Sequence, residues 1–355
     1  SAKVEISDGE AWGRPFDLLA GEIEFSEEKI TLRKFDLSHQ DAEIRATAQF
    51  DPPERRFRFD AEGKDWGIEK LKALPPGFGG ALRFEIGGSG RFDRGEELFE
   101  ELALSGLWSV ESFHFNRKPI GSLKGGVETV DHEVTLDWQA ELLAGRLEGA
   151  AHVYPTQNGT LRGRTQFTDV SVVELARLAD VSVEKATGTV DGHCTFSAAS
   201  WGLDELMAEG QVTRLEGELA AIPTVEKHYG IWNPFPMRWG YARNTLRLDR
   251  MRLLGEGTDV EINGEVSFAP EEQVNVDVSG TFNLAVIASF RSDLQARGSS
   301  TIEMKVGGSL QVPLLEGRME LNDASLRSVH LANGLSQVEG VVTFTGDRMN
   351  IDRPP

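Results

Sequence analysis

The stretch Leu335–Asp352, LSQVEGVVTFTGDRMNID, decides the fold. Leu335 leads to Gly340, and Val341–Thr345 then alternates apolar and polar residues as a short strand does. Gly346-Asp347 supplies a tight turn, and Met349 and Ile351 mark the returning strand. The same succession recurs upstream. Phe16 and Gly21 precede Ile23, Phe25, Ile30 and Leu32. Ile120 and Gly125 precede Val127, Val134 and Leu136. Phe235 and Gly240 precede Leu246 and Leu248 through a slightly shorter hairpin. The glycines at 21, 125, 240 and 340 give a repeat of roughly 100 residues. Residues 1–15 then end one copy, 16–119, 120–234 and 235–334 form three copies, and 335–355 begin another.

Period-two alternation continues through the copies. Ile44, Ala46, Ala48 and Phe50 face one way, as do Phe57 and Phe59, and Leu82, Phe84 and Ile86. Val134, Leu136 and Trp138 follow, then the run 147–153, then Val190 to Phe196 with Cys194 in phase. Val260, Ile262, Val266 and Phe268 form another apolar set, followed by Val274, Val276 and Val278, and by Ile302, Met304 and Val306. Phe344 belongs to the last hairpin. Turn residues punctuate these runs at Asp51-Pro52-Pro53, Gly87-Gly88-Ser89-Gly90, Asn158-Gly159, 269–272 and Gly307-Gly308.

One short helix is expected in each copy, over 66–74, 171–178 and 283–290. Ile68, Leu71 and Leu74 align with Val172, Leu175 and Leu178, and with Leu284, Ile287 and Phe290, at helical spacing. Asp65, Asp169 and Asn283 stand where N-caps are expected. One such helix cannot cover the apolar faces of all the strands in its copy, yet those faces must be buried. Either two sheets close a dry sandwich core, or one long sheet curls into a trough. No Gly/Ser- or Pro-rich linker separates the copies. The expectation is therefore all-β: a long, curled, mostly antiparallel repeat sheet with one short helix per repeat.

Composition narrows the classes of function. The chain has 355 residues, 39% of them hydrophobic, with 57 acidic against 37 basic and a net charge of −20. That balance disfavours nucleic acid and anionic lipid headgroups, which select cationic surfaces. The single Cys194 excludes an internal disulfide. No stretch reaches the roughly 18 apolar residues of a membrane-spanning helix, and no signal peptide is recognisable. Beginning and ending in mid-pattern, the chain reads as a segment of a longer protein.

The run ASLRSVHLANGLSQVEGVVTFTGDRMNID, 324–352, resembles the repeat region of the TamB/AsmA-like envelope proteins. Their pattern sets a leucine-serine dipeptide before a G-x-hydrophobic-x-F-x-G-x-R-hydrophobic-x-I hairpin. Leu335, Ser336, Gly340, Val342, Phe344, Gly346, Arg348, Met349 and Ile351 fill it. The third copy departs from it, with Arg238 where the others have Leu19, Leu123 and Val338. The resemblance implies a taco-like sheet with an apolar trough, in a parent anchored in the inner membrane and crossing the periplasm of a diderm bacterium. It also implies transport of phospholipid toward the outer membrane. An Omp85-type, TamA-like outer-membrane partner would act through parts of the parent outside this segment.

Other motifs are weighed against plainer readings. The aromatic run 228–241 offers Tyr229, Trp232, Phe235 and Trp239 as a loop contacting lipid or a partner, or as a proline-stiffened turn folded onto the sheet. Cys194 beside His193 reads as an inert thiol on the apolar side. Asp131-His132-Glu133 reads as a solvated turn. No metal-ligand spacing, nucleophile elbow or phosphate loop occurs, so no catalytic group, metal or cofactor is expected. The expected function is a non-enzymatic conduit whose in-phase apolar residues shelter acyl chains. The alternative is a tandem array of binding or adhesive sandwiches on a cell surface.

Overall fold

In the computed structural model, residues 1–11, 14–70, 77–91, 100–130, 133–154, 160–178, 180, 186–199, 205–222, 225–268, 273–289, 294–309, 312–328, 334–346 and 348–352 are described. They form 22 strands of one antiparallel sheet. Two compact units divide the chain. The first holds Ser1–Leu142 and Arg146–Thr165, and the second holds Gln166–Phe196 and Leu206–Pro355. In the first, β1 (Ala2–Ala11), β2 (Arg14–Phe25), β3 (Ile30–His39), β4 (Ala42–Asp51), β5 (Arg56–Gly67), β6 (Phe78–Arg91), β7 (Glu100–Phe115), β8 (Lys118–Val130) and β9 (Glu133–Leu142) pair in chain order. β10 (Gly145–Tyr154) and β11 (Thr160–Ser171) follow, then β12 (Ala186–Ala198). The second unit continues with β13 (Met207–Ile222), β14 (Val225–Trp232), β15 (Met237–Ala242), β16 (Thr245–Gly255) and β17 (Thr258–Ser267). It ends with β18 (Gln273–Asn283), β19 (Leu294–Gly308), β20 (Pro313–Ser328), β21 (Leu335–Gly346) and β22 (Arg348–Asp352).

Chain-order pairing follows from short connections. Asn116-Arg117, Leu143-Ala144 and Arg243-Asn244 all have positive φ at both central positions, the geometry whose twist matches a two-residue hairpin. Thr345 pairs with Arg348 at the end of the hairpin expected there, and Asp347 of its turn lies outside the described residues. The repeat glycines, however, lie inside strands: Gly21 in β2, Gly125 in β8, Gly240 in β15 and Gly340 in β21. Gly87–Gly90, read from sequence as a turn, is the interior of β6.

Long strands carry one apolar face only if alternation is kept, and several strands break it. The register slips between Leu32 and Phe35, Gly63 and Trp66, Val110 and Phe113, Leu248 and Met251, and Leu321 and Ala324. Each slip spans three positions, which would turn the rest of the strand over if the pleat were regular. A bulge absorbs the odd residue, with positive φ at Asp65, Ser112, Arg250 and Asp323. Apolar residues thereby stay on one side along the whole strand.

The short helices fall where expected and are shorter. Ile68–Lys70 and Leu284–Ser289 are 3₁₀ segments, and Val172–Leu178 is α1. The expected extensions over 71–74 and at 290 lie outside the described residues. Asn283 does cap its helix, its side-chain oxygen accepting from Ala285 N–H at 3.0 Å. Asp65 and Asp169 do not cap theirs: both have left-handed φ and lie before the helix's flanking residue, Asp65 within a bulge of β5. Ser171 caps α1 instead, accepting from Glu174 N–H.

Asp169 joins an ionic knot. Arg214 donates from Nε to Asp191 at 2.6 Å and from a terminal nitrogen to Asp169 at 2.9 Å. Asp169 N–H donates to the other Asp191 oxygen at 2.7 Å. The Arg214 hydrogen bond, assisted by that N–H, holds the Asp191 carboxyl below its ordinary value near 3.8, against the opposing cost of burial. A depressed carboxyl stabilises the fold above its unfolded pKa, and the stabilisation is lost as pH falls through the folded one. Replacing Arg214 with Met should therefore raise the pH at which the second unit unfolds in acid titration followed by circular dichroism. An unchanged acid midpoint would show the knot to be inert.

Candidate functional site

The ladder registers place apolar side chains in rows that cross the sheet. One row of the first unit runs Val4, Gly21, Phe35, Ala46, Ala61, Ile86, Gly106, Val127, Leu136. The next runs Ile6, Leu19, Leu37, Ile44, Gly63, Phe84, Trp108, Gly125, Trp138. Nine strands contribute, and neither row holds a polar side chain. Phe50 and Phe57 pair beside them, as do Ala48 and Phe59, and Trp66 and Leu82. Val134 stands opposite Thr129.

The second unit repeats the arrangement. Its rows are Trp239, Leu248, Gly264, Val276, Val306, Leu315, Gly346; then Met251, Ile262, Val278, Met304, Gly317, Phe344, Met349; then Leu253, Val260, Gly280, Ile302, Met319, Val342, Ile351. Val266 pairs with Val274 on the same side. Val190 is buried and Phe196 half-buried in phase with it on β12. Cys194 between them is half-buried and forms no disulfide. Phe268 lies past the end of β17 and is exposed. Sequence reading missed β7, whose Leu102, Leu104, Trp108 and Val110 alternate around Gly106. Their spacing was the signal that would have found them.

These faces are half-open. In β18 the pattern of exposure alternates with the pleat, but Val274, Val276 and Val278 are only half-buried. The same holds for Phe57 and Phe59 in β5. A sandwich interior would bury such residues completely. Some row members, such as Leu37, Val260 and Val342, are buried singly, and buried residues also gather in clusters such as Val127, Val134 and Val153 in the first unit, with Val153 only 2% exposed. In the second unit Leu284, Ala296 and Ala324 form another, where the 3₁₀ helix lies on the apolar side.

The opposite face is charged and mutually neutralised. Arg45 lies within 3.8 Å of Asp36, 3.2 Å of Glu43 and 3.5 Å of Glu62. Lys64 reaches Glu43 at 3.1 Å and Arg83 reaches Glu111 at 3.0 Å. Glu43, Arg45, Glu62, Lys64 and Arg83 line a cleft of about 790 Å³ with Lys124, Asp137 and Gln139. Such exposed pairs are worth little individually, and they make a solvated surface. Leu107, 70% exposed, also lines that cleft.

The aromatic run is a broken strand. β13 pairs with β14 along its second half and with β15 along its first, and both pair with β16. Tyr229 stands opposite Leu219 and Trp239 opposite Gly210, so both belong to the ladder. Trp239 is part of the apolar face, and only Trp232 and Phe235, 44% and 42% exposed, present rings to solvent. Among the described residues no group of three or more His, Cys, Asp or Glu could hold a metal ion, and no helix is long and apolar enough to cross a membrane. No protein-family model, curated protein or solved structure matches the chain.

Proposed function

We propose that the apolar face of each unit is a non-enzymatic binding lane for the acyl chains of phospholipid, serving lipid transport between the two membranes of a diderm envelope. The observation that carries this reading is the set of uncharged rows crossing nine strands of the first unit and left half-open. Apolar area at that exposure is unsatisfied in water, and acyl chains satisfy it at about 0.8 kcal/mol per buried CH₂. The contact is non-directional, so a chain slides along a row without breaking specific bonds. Headgroups stay at the open side, in water. The net charge of −20 keeps such a surface soluble and disfavours polyanions as cargo. The resemblance to TamB/AsmA-like repeats supports the periplasmic setting, the inner-membrane anchor and an Omp85-type partner for the parent. The alternative, an array of adhesive sandwiches, fits less well with faces that no second layer closes.

The protein purified from a bacterial host should carry phospholipid, extractable into organic solvent and identified by mass spectrometry at one or more molecules per chain. A folded, monodisperse preparation free of lipid, which also takes up none from vesicles, would overturn the reading.

A further inference from the structure

We infer that the glycines of the apolar face act as specificity determinants by seating aromatic rings flat against the sheet, so that the lane accepts an unbranched hydrocarbon chain lying close to the backbone. The inference rests on the acyl-chain reading above. Eight glycines lie beneath a ring in the same unit: Gly9 under Phe16, Gly63 under Phe84, Gly88 under Phe59, Gly90 under Phe57, Gly125 under Trp108, Gly149 under Trp138, Gly192 under Phe167 and Gly210 under Trp239. In most of these pairs the ladder sets ring and glycine directly opposite each other, as for Phe59 and Gly88 or Trp108 and Gly125. A Cβ at Gly88 would lie 2.7 Å from the Phe59 ring and from Leu104, and one at Gly90 would lie 2.8 Å from the Phe57 ring. The rings therefore recline over backbone that any other residue would occupy. The Phe57 and Phe59 rings are near-parallel, their planes 19° apart and their centroids 6.4 Å apart, so the two lean over β6 in the same sense. Each ring thus fills the space a Cβ would take and sits close to the backbone of the neighbouring strand. Gly88 and Gly90 have ordinary strand φ, so backbone conformation does not demand glycine there; the space beneath the ring does.

The test is the double substitution Gly88→Ala and Gly90→Ala, with binding of all-trans-parinaric acid, a straight-chain fluorescent fatty acid, to the delipidated protein. Lifting both rings should weaken binding about tenfold, the loss of roughly two methylene contacts. Adding Phe57→Leu and Phe59→Leu should restore binding to within about threefold of the original, since flexible side chains fit over alanine. Unchanged binding in a folded double variant overturns the inference and leaves the acyl-chain reading intact. Absence of binding by the unsubstituted protein overturns that reading itself. If the double variant unfolds, the fourfold variant decides: recovery of fold and binding supports ring seating, and continued unfolding overturns it.

Discussion

Val276→Asp should leave the protein folded and strip it of bound lipid. Val276 sits in the middle strand of a row, between Gly264 and Val306, and is half-buried. The substitution forfeits part of a valine's transfer energy and leaves a carboxylate that still reaches water, a cost of about 1–3 kcal/mol. The ladder on either side is unaffected. An acyl chain crossing that row must now displace the hydration of a charge, which sliding along a uniform apolar surface never requires. Lipid content per chain, measured by extraction and mass spectrometry, should fall severalfold while the circular dichroism spectrum and the thermal transition persist.

Val153→Asp supplies the contrast. Val153 is closed in among Val127 and Val134 and is 2% exposed, so its carboxylate has no route to water. A cost beyond about 4 kcal/mol is expected there, with loss of the first unit's cooperative transition. If both substitutions unfolded the protein alike, the face around Val276 would be a closed core. If Val276→Asp kept both fold and lipid, the lane would not be where the cargo lies. On the polar side, Asp277 stands opposite Asn263 and Lys305, and Asp277→Lys should change neither measurement appreciably.

The apolar faces were legible in the sequence because a strand alternates with period two, and Phe57-Arg58-Phe59-Asp60 or Val274–Val278 shows it without interruption. Two things concealed the rest. Glycine was read as punctuation, whereas Gly88 and Gly90 occupy inward positions as full members of β6, each spanned by the ring of a neighbouring strand. Single-sequence reading assigns a glycine to a turn because it cannot see a ring from about 30 residues away occupying the space above it. Bulges hid the strand lengths as well. Two polar residues between apolar ones, as in Lys64-Asp65, Glu111-Ser112 or Asn322-Asp323, interrupt the alternation and look like strand ends. The slipped register shows that the strand continues with its face preserved. That apolar-polar-polar-apolar step recurs often enough to be sought deliberately in chains of this composition.

The segment Asn233-Pro234-Phe235-Pro236 interrupts the ladder, and its substitution tests how a sheet survives a break in one of its inner strands. Neither proline can donate to the ladder, so β13 faces a gap between β14 and β15. Asn233 fills it. Its backbone N–H donates to Leu215 C=O at 3.3 Å, and its side-chain oxygen accepts from Leu215 N–H at 2.5 Å. Its side-chain amide donates to Thr213 C=O at 3.3 Å and to Phe235 C=O at 2.8 Å. One side chain thus stands in for the missing strand toward β13 and at the same time holds the proline turn closed. Asn233→Ala removes three of these bonds and leaves Leu215 N–H and Thr213 C=O without partners in a half-buried strand. The expected cost is about 2–4 kcal/mol, above the value of a single exposed hydrogen bond because unpaired ladder groups are left behind. Asn233→Asp keeps the acceptor for Leu215 N–H but sets a carboxylate against two carbonyl oxygens, and it should fall at least as far. Denaturant unfolding followed by tryptophan fluorescence reads both, since Trp232 and Trp239 flank the break. Amide exchange at Leu215 should accelerate in the alanine variant before the global transition. A loss below about 0.5 kcal/mol with Leu215 still protected would mean that water bridges the gap as well as Asn233 does, and that the break costs the sheet nothing.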